Sequence, residues 1–205
     1  MHGVDPSQFR QLLGRFATGV TVVTTRDRAG KPVGMTASSV ASVSLDPPLV
    51  LVSVARDNDM HPALKAADRF VVNVLAADQE AISRRFAEEH PNRFDGIGYS
   101  ETRHGLPVLE GVLASIECEK QAEAPGGDHT VFFGLVTGGA VSDRGPLLYY
   151  RGGYAGLGSG GAGLDDVIRR GSRRTAISFD CPAGSRASHH RYPQLDGSVE
   201  EVALF

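Results

Sequence analysis

A chain of 205 residues with a net charge of −3 has room for one domain, or one domain with an appendage, and its mild acidity argues against a nucleic-acid surface, which is normally basic. A chain of this length buries about two-thirds of its unfolded surface. It therefore needs no disulfide or structural metal, and two cysteines, Cys118 and Cys181, are too few for a disulfide framework or a cysteine zinc site.

With 25 Gly, 11 Pro and no Trp, turns and short strands are favoured over long helices. No apolar run approaches the roughly 20 residues of a membrane span. Met1-His2-Gly3-Val4-Asp5-Pro6 lacks the basic-then-apolar order of a signal peptide. A cytoplasmic protein of bacterial type is expected.

Asp5-Pro6-Ser7-Gln8 reads as a helix start, with a capping Asp and Pro at the first helical position. Phe9, Leu12, Leu13 and Phe16 follow at the spacing of one buried helical face, and Gly19 ends the segment. Residues 20–25 are a β-branched strand and Asp27-Arg28-Ala29-Gly30 a turn. Residues 34–45 alternate small polar with apolar residues, placing Val43 and Leu45 on one face, and Asp46-Pro47-Pro48 forces a tight connection. The nearly continuous apolar run 49–54 predicts a strand covered on both faces.

A short helix is expected from Pro62 and a strand over 70–75. Asp78 should cap a helix carrying Ile82 and Phe86 on one side. Residues 90–111, punctuated by Pro, Gly and Asn, read as one long loop, a feature usually functional or mobile. Val112, Ala114, Ile116 and Cys118 alternate with polar residues, and 131–136 and 147–150 complete six or seven strands. Few helices and no βαβ rhythm point to a mainly β domain, a closed or nearly closed antiparallel barrel.

After Tyr154 the composition shifts. Gly156-Leu157-Gly158-Ser159-Gly160-Gly161 satisfies G-x-G-x-x-G, with a possible helix over 164–170 and a short strand over 176–179. Asp180 lies near the roughly 20-residue offset of a ribose-binding acid. Only 25 residues follow Asp180, too few for the rest of a dinucleotide-binding sheet, so a linker into a tail is the preferred reading. Residues 159–205 hold Arg169-Arg170, Arg173-Arg174 and His189-His190-Arg191. The adjacent histidines have no third metal ligand at a diagnostic spacing. A solvated extension is expected, the alternative being a docking segment for a partner protein.

Thr36-Ala37-Ser38-Ser39 concentrates hydroxyls and small side chains just after Gly34. Such a segment lets a flat ring approach the backbone, and equally suits a tight barrel bend. A flavin needs the first arrangement, because its reduction places negative charge on the N1/C2=O edge.

That segment, followed by Ser42-Val43-Ser44-Leu45-Asp46-Pro47-Pro48, resembles the signature of the flavin reductase-like family, the short-chain reductase components of two-component flavin-dependent monooxygenases. Further matches are Phe70-Val71-Val72-Asn73-Val74-Leu75, Gly127-Asp128-His129 and the run from Pro146 through Tyr149, Tyr150, Arg151, Gly152 and Gly153 to Tyr154. Any one motif is weak, but the ordered set, spanning about residues 9–157, is strong.

The resemblance implies an FMN-binding split β-barrel over 1–158, with 159–205 outside it. It implies that FAD or FMN is reduced by NADH or NADPH, that reduced flavin passes to a partner monooxygenase, and that the chain forms a homodimer with flavin near the interface. Thr36, Ala37, Ser38 and Ser39 resemble the family's ring and ribityl contacts, and Ser53, Val54 and Ala55 a second flavin-contacting segment. Met60 and His61 lie where the family touches the rest of the flavin. Arg85 resembles a basic residue near the phosphate, with Arg93 a second candidate; a solvated surface charge is the plain alternative for either arginine. His129 resembles the histidine at the nicotinamide site, and Tyr150, Arg151, Gly152, Gly153 and Tyr154 the cover over the nicotinamide nucleotide.

No Ser-His-Asp order, H-E-x-x-H or P-loop is recognisable, so hydrolase and kinase readings lack a site. Two other readings stay open: a non-catalytic split-barrel flavin- or haem-binding protein, and an oxidase of the pyridoxine-phosphate type.

Overall fold

The computed structural model describes residues 3–88 and 90–157. Asp5 caps α1 (Pro6–Leu13), its Oδ1 accepting from the backbone N–H of Ser7 at 2.8 Å and of Gln8 at 3.0 Å. Two orphan donors of the first turn are satisfied in this way. The apolar face of the helix is a correction to the sequence reading: Phe9, Leu12, Leu13 and Phe16 are 50–71% exposed. The strands that follow already fill the interior of the barrel.

In chain order the strands are β1 (Thr18–Gly19), β2 (Thr21–Arg26), β3 (Pro32–Ala37), β4 (Val40–Leu45) and β5 (Pro48–Ala55). Then come α2 (His61–Ala66), β6 (Arg69–Val74), α3 (Glu80–Ala87) and the short β7 (Tyr99–Glu101) and β8 (Pro107–Leu109). The long pair β9 (Ala114–Gly126) and β10 (His129–Val141) follows, then β11 (Leu148–Tyr150) and β12 (Gly153–Ala155). Seven strands form one antiparallel sheet in the order β3-β2-β6-β9-β10-β5-β4. Its edge strands β3 and β4 are not paired with each other, so this mainly β split barrel is open along that seam.

The strand covered on both faces is β2, together with β6, rather than β5. From Thr21 through Thr25 every β2 residue is buried. Val23 packs with Val52, Phe70 and Phe132 inside the barrel, and Val22 with Leu75, Phe86 and Leu109 on the other side. Each such apolar side chain contributes about 1.5–3 kcal/mol on burial. Along β5, Val50, Val52 and Val54 are buried while Leu51 and Ser53 are half-exposed, because its outer face has no covering element.

The segment 34–45 breaks into β3 and β4 at Ser38-Ser39. Thr21 donates its hydroxyl to Ala37 O at 2.7 Å, holding the end of β3 on β2. Ser39 is held to the opposite edge: Ser53 N–H donates to Ser39 O at 3.0 Å, and Ser39 Oγ donates to Ser53 O at 2.7 Å. These two serines therefore bridge the open seam. Val43 and Leu45 share no buried face, being 40% and 71% exposed. Gly34 is required for close packing: a Cβ there would lie 3.0 Å from Phe86 Cε1 and 3.1 Å from Val23 O.

Three further expectations change. Asp78 pairs with Arg144 instead of capping α3. Gln79 occupies the cap position, and its side chain accepts from Ala76 N–H and donates to Glu110 O. Within 90–111 a hairpin forms from β7 and β8, because Phe94 and Tyr99 have a surface to pack on: ring centroids lie 5.0 Å apart for Phe86–Phe94 and 5.4 Å for Phe94–Tyr99. The β9–β10 hairpin runs well past the apolar alternation, since its distal half leaves the core and needs no apolar residues. Cys118 is buried in that ladder, and burial, helped by the charge of Glu117, pushes its thiol up to about 12.

No helix among the described residues is long and apolar enough to cross a membrane. The helix expected at 164–170, the strand at 176–179, Asp180, Cys181, the arginine pairs and His189-His190-Arg191 lie outside the described residues.

Candidate functional site

The two serines at the seam open onto a cavity of about 710 Å³. Its floor is Ser38, Ser39, Leu51 and Ser53; one wall is Phe9, Leu13 and Phe16 of the α1 segment; Tyr149, Arg151 and Gly152 form the rim. The volume suits a ring system with substituents, and mostly apolar walls with a few polar groups are the usual make-up of a ligand site. A smaller cleft of about 250 Å³ shares Ser38 and Tyr149 and adds Thr36, Ser83 and Tyr154.

The hairpin β11–β12 sets this rim. Arg151 at φ 53° and Gly152 at φ 81° are the central residues of a two-residue turn whose positive φ values match the twist of its strands. Arg151 N–H donates to Gly14 O at 2.9 Å, tying the turn to the end of α1. Tyr154 is fixed by a 2.8 Å hydrogen bond to Ser83 Oγ and by an edge contact with Tyr149 at 5.4 Å. The Arg84 guanidinium lies 4.9 Å from the Tyr154 ring centre, and its hydrogen bond to Glu80 raises its pKa.

Thr36, Ser38, Ser39, Ser53, Arg151, Gly152 and Tyr154 thus converge on adjoining cavities. Thr36 donates its hydroxyl to Ser83 O at 2.7 Å, and Ala37 is buried between the strands. Tyr150 is exposed beside Gly153 at the hairpin end. Val54 and Met60 send their side chains into the core, at 0% and 1% exposure, so only their main chain is free to meet a ligand.

His61 opens α2 and its Nε2 lies 2.9 Å from Thr130 Oγ1, against β10. Arg85 donates to three main-chain carbonyls, those of Arg93, Asn92 and Asp95. Arg93 is 7% exposed, paired with Asp59 at 2.9 Å and bonded to Gly34 O and Glu88 O. Both arginines clamp the chain around residues 88–95, and neither lines the 710 Å³ cavity.

His129 begins β10, opposite Ala55 and two residues along from the Val131–Ser53 pair. Gly127, at φ 69°, makes the turn before it. His129 Nδ1 lies 2.7 Å from Asp128 Oδ1. A carboxylate only accepts, so Nδ1 carries the proton and Nε2 is left for a ligand. The same hydrogen bond holds the Asp128 carboxyl below its usual range.

Phe9, Leu13, Phe16, Leu51 and Ser83 line these cavities without having been candidates in the sequence. The helical spacing of the first three was visible, but that spacing is the same for a core-facing stripe and for a cavity wall.

The donor set fits a flavin. Phe9, Leu13, Phe16 and Leu51 offer an apolar bed for a flat ring, and the hydroxyls of Ser38 and Ser53 offer polar partners at its edge. An open antiparallel barrel with such a cavity at its seam is a split barrel with room for a flat ring.

Comparison with known proteins agrees. The flavin reductase like domain matches residues 13–158, and the chain belongs to this family. It is 43% identical over 155 residues to the reductase subunit HsaB of a flavin-dependent monooxygenase from Rhodococcus jostii, covering 75% of this chain and 79% of that protein. It is 44% identical over 152 residues to the FMN reductase (NADH) SmoA of Agrobacterium fabrum, covering 74% and 86% respectively. Among solved structures, the Streptomyces globisporus NADH:FAD oxidoreductase SgcE6, in complex with NAD and FAD fragments, is similar at a TM-score of 0.72 and 38% identity, covering 78% of this chain and 99% of that one.

Proposed function

We propose that the chain is an NAD(P)H:flavin oxidoreductase that reduces FAD or FMN and supplies the reduced flavin to a partner monooxygenase. The observation that carries this reading is the cavity at the barrel seam, where Ser38, Ser39 and Ser53 meet the apolar wall of Phe9, Leu13 and Phe16. Names of relatives support it: one is a monooxygenase reductase subunit and another an FMN reductase using NADH.

Flavin, when bound, supplies the ring that accepts hydride from the nicotinamide. The chain's own residues bind and position. Ser38, Ser39 and Ser53 hold the polar edge of the ring, with Thr36 and Ala37 shaping the strand beneath. Phe9, Leu13, Phe16 and Leu51 keep water off its face. His129, anchored by Asp128, offers Nε2 to the nicotinamide carboxamide, and Tyr149 and Tyr154 border the approach. Hydride transfer calls for no side-chain acid; it calls for the two rings held at about 3–3.5 Å.

The same reading includes a homodimer and a cytoplasmic setting. Phe9, Leu12, Leu13 and Phe16, with Val43 and Leu45 on β4, leave six large apolar side chains at 40–71% exposure. Phe9, Leu13 and Phe16 are continuous with β4 through Val40 and Ala41 of the cavity. Apolar side chains grouped around the cavity, as Phe9, Leu13 and Phe16 are, mark an interaction face rather than scattered exposed hydrophobes. A second copy covering it would also close the flavin cavity.

The test is anaerobic mixing of the purified protein with flavin and NADH or NADPH, following absorbance at about 450 nm, a generic flavin band. Bleaching with either nucleotide is expected. Flavin that binds but stays oxidised with both would leave a binding protein and sink the enzyme reading.

A further inference from the structure

A further cleft, of about 410 Å³, lies between α1 and the β11–β12 turn, lined by Ser7, Arg10, Gln11, Arg15 and Arg151. It is continuous with the 710 Å³ cavity, since Arg10, Gly14, Arg151 and Gly152 line both. Three arginines therefore line a cleft beside a ring-sized cavity.

Among the described residues no acid pairs with these three arginines. Before Asp27 the only acid in the sequence is Asp5, and its carboxylate is engaged in capping α1. Residues 144–157 contain no acid. Among the described residues, the arginines used in ion pairs are Arg26, Arg69, Arg84, Arg93 and Arg144, never Arg10, Arg15 or Arg151. The end of α1 carries a helix-dipole charge of only about −0.5, against three full positive charges. The net field in the cleft favours an anion.

The cleft is also held in shape. Arg151 N–H donates to Gly14 O at 2.9 Å, and the positive φ values of Arg151 and Gly152 fix the turn. Arginine is the residue best suited to phosphate, with planar donors that bind two oxygens at once. Ser7 and Gln11 add neutral hydrogen-bonding groups.

We propose that this cleft seats the adenosine-diphosphate part of a dinucleotide whose ring part occupies the adjoining cavity. The inference rests on the flavin reading of that cavity. Two sources carry the same chemistry, FAD and the nicotinamide dinucleotide. Arg10 and Arg15 are then binding residues that let the protein distinguish a dinucleotide from a bare ring.

The experiment is calorimetric titration of the full-length protein and its R10Q/R15Q double variant with riboflavin, ADP, FAD and NAD⁺. Glutamine retains helix propensity close to that of arginine. Loss of two charge-assisted contacts should weaken ADP and one dinucleotide by about tenfold. Riboflavin should stay within about twofold, because it carries no diphosphate for the arginines to bind. A loss confined to FAD among the dinucleotides assigns the flavin as source, and a loss confined to NAD⁺ the nicotinamide donor.

Unchanged binding of both dinucleotides, or an equal loss for riboflavin, overturns the proposal. R28Q, in the turn 27–30 outside both cavities, serves as a surface-charge control and should leave every ligand unchanged. R151Q tests the same cleft from the opposite wall if the double variant unfolds. A wild-type protein that binds neither riboflavin nor FAD would instead overturn the flavin reading beneath it.

Discussion

At the scale of single residues, two histidines of similar promise in the sequence have different roles available. His61 Nε2 is already engaged with Thr130 on β10. His129 bonds through Nδ1 to Asp128 and is 40% exposed, leaving Nε2 free. His129→Ala should therefore raise the KM for the nicotinamide nucleotide by about tenfold, the scale of one lost hydrogen bond in a binding site, while flavin affinity stays within about twofold. Steady-state kinetics beside a flavin titration measure both, and an unchanged KM would remove His129 from the nicotinamide site. The pH sign follows from the Asp128 carboxyl, which lies below its usual range because of the hydrogen bond to His129. A depressed carboxylate keeps its pairing above the unfolded pKa and loses it as pH falls through the folded value. The anchoring of His129 thus persists at neutral pH and fails only in acid. Arg85 and Arg93 show the opposite lesson. Basic residues near a ligand phosphate and basic residues clamping a loop look alike in sequence, and here the guanidinium donors meet main-chain carbonyls and, for Arg93, the Asp59 carboxylate.

At the scale of elements, β10 meets the core of the barrel through a residue without a side chain. A Cβ on Gly134 would lie 2.6 Å from Phe70 Cζ and 2.8 Å from Cys118 Cβ. Gly134→Ala should cost about 1–3 kcal/mol by overpacking, lowering the thermal midpoint by roughly 2–4 °C for each kcal/mol. An unchanged midpoint in a melting scan would mean that Phe70 yields freely. For α1 the issue is what covers its apolar face. Leu12 and Leu45 are 57% and 71% exposed and lie outside the cavity lining. Leu12→Glu combined with Leu45→Glu should convert a dimer into monomers by light scattering after size exclusion. A dimer that survives places the interface elsewhere. The β-branched strand β2 was legible because its residues are buried whichever face is considered. The α1 stripe was legible as a stripe but not as to its partner, since period alone cannot separate the core of one chain from a ligand or a second chain. The break at Ser38-Ser39 was invisible, because small polar residues alternate with apolar ones on both sides of it. What divides β3 from β4 is long-range pairing with Thr21 and Ser53.

At the scale of the whole molecule, the seam, its cavity and the rim hairpin all come from residues before Leu157. The family match spans residues 13–158. The glycine-rich tract beginning at Gly156 offers a competing location for a dinucleotide, and the two readings make opposite demands on a truncated protein. If the split barrel is the enzyme, a chain ending at residue 158 retains every group named in the site: Ser38, Ser39, Ser53, His129, Arg151 and Tyr154. Such a chain should reduce flavin with a kcat within about twofold of the full protein, since no transition-state contact is removed. It should also unfold in a single cooperative transition, because every described member of both apolar clusters precedes residue 155. If residues 158–161 and Asp180 instead held the nicotinamide dinucleotide, truncation would raise its KM sharply and leave flavin binding intact. Measuring KM, kcat and flavin affinity on the truncated chain therefore separates the readings. Loss of reduction together with loss of the melting transition would show that residues beyond 158 belong to the fold itself.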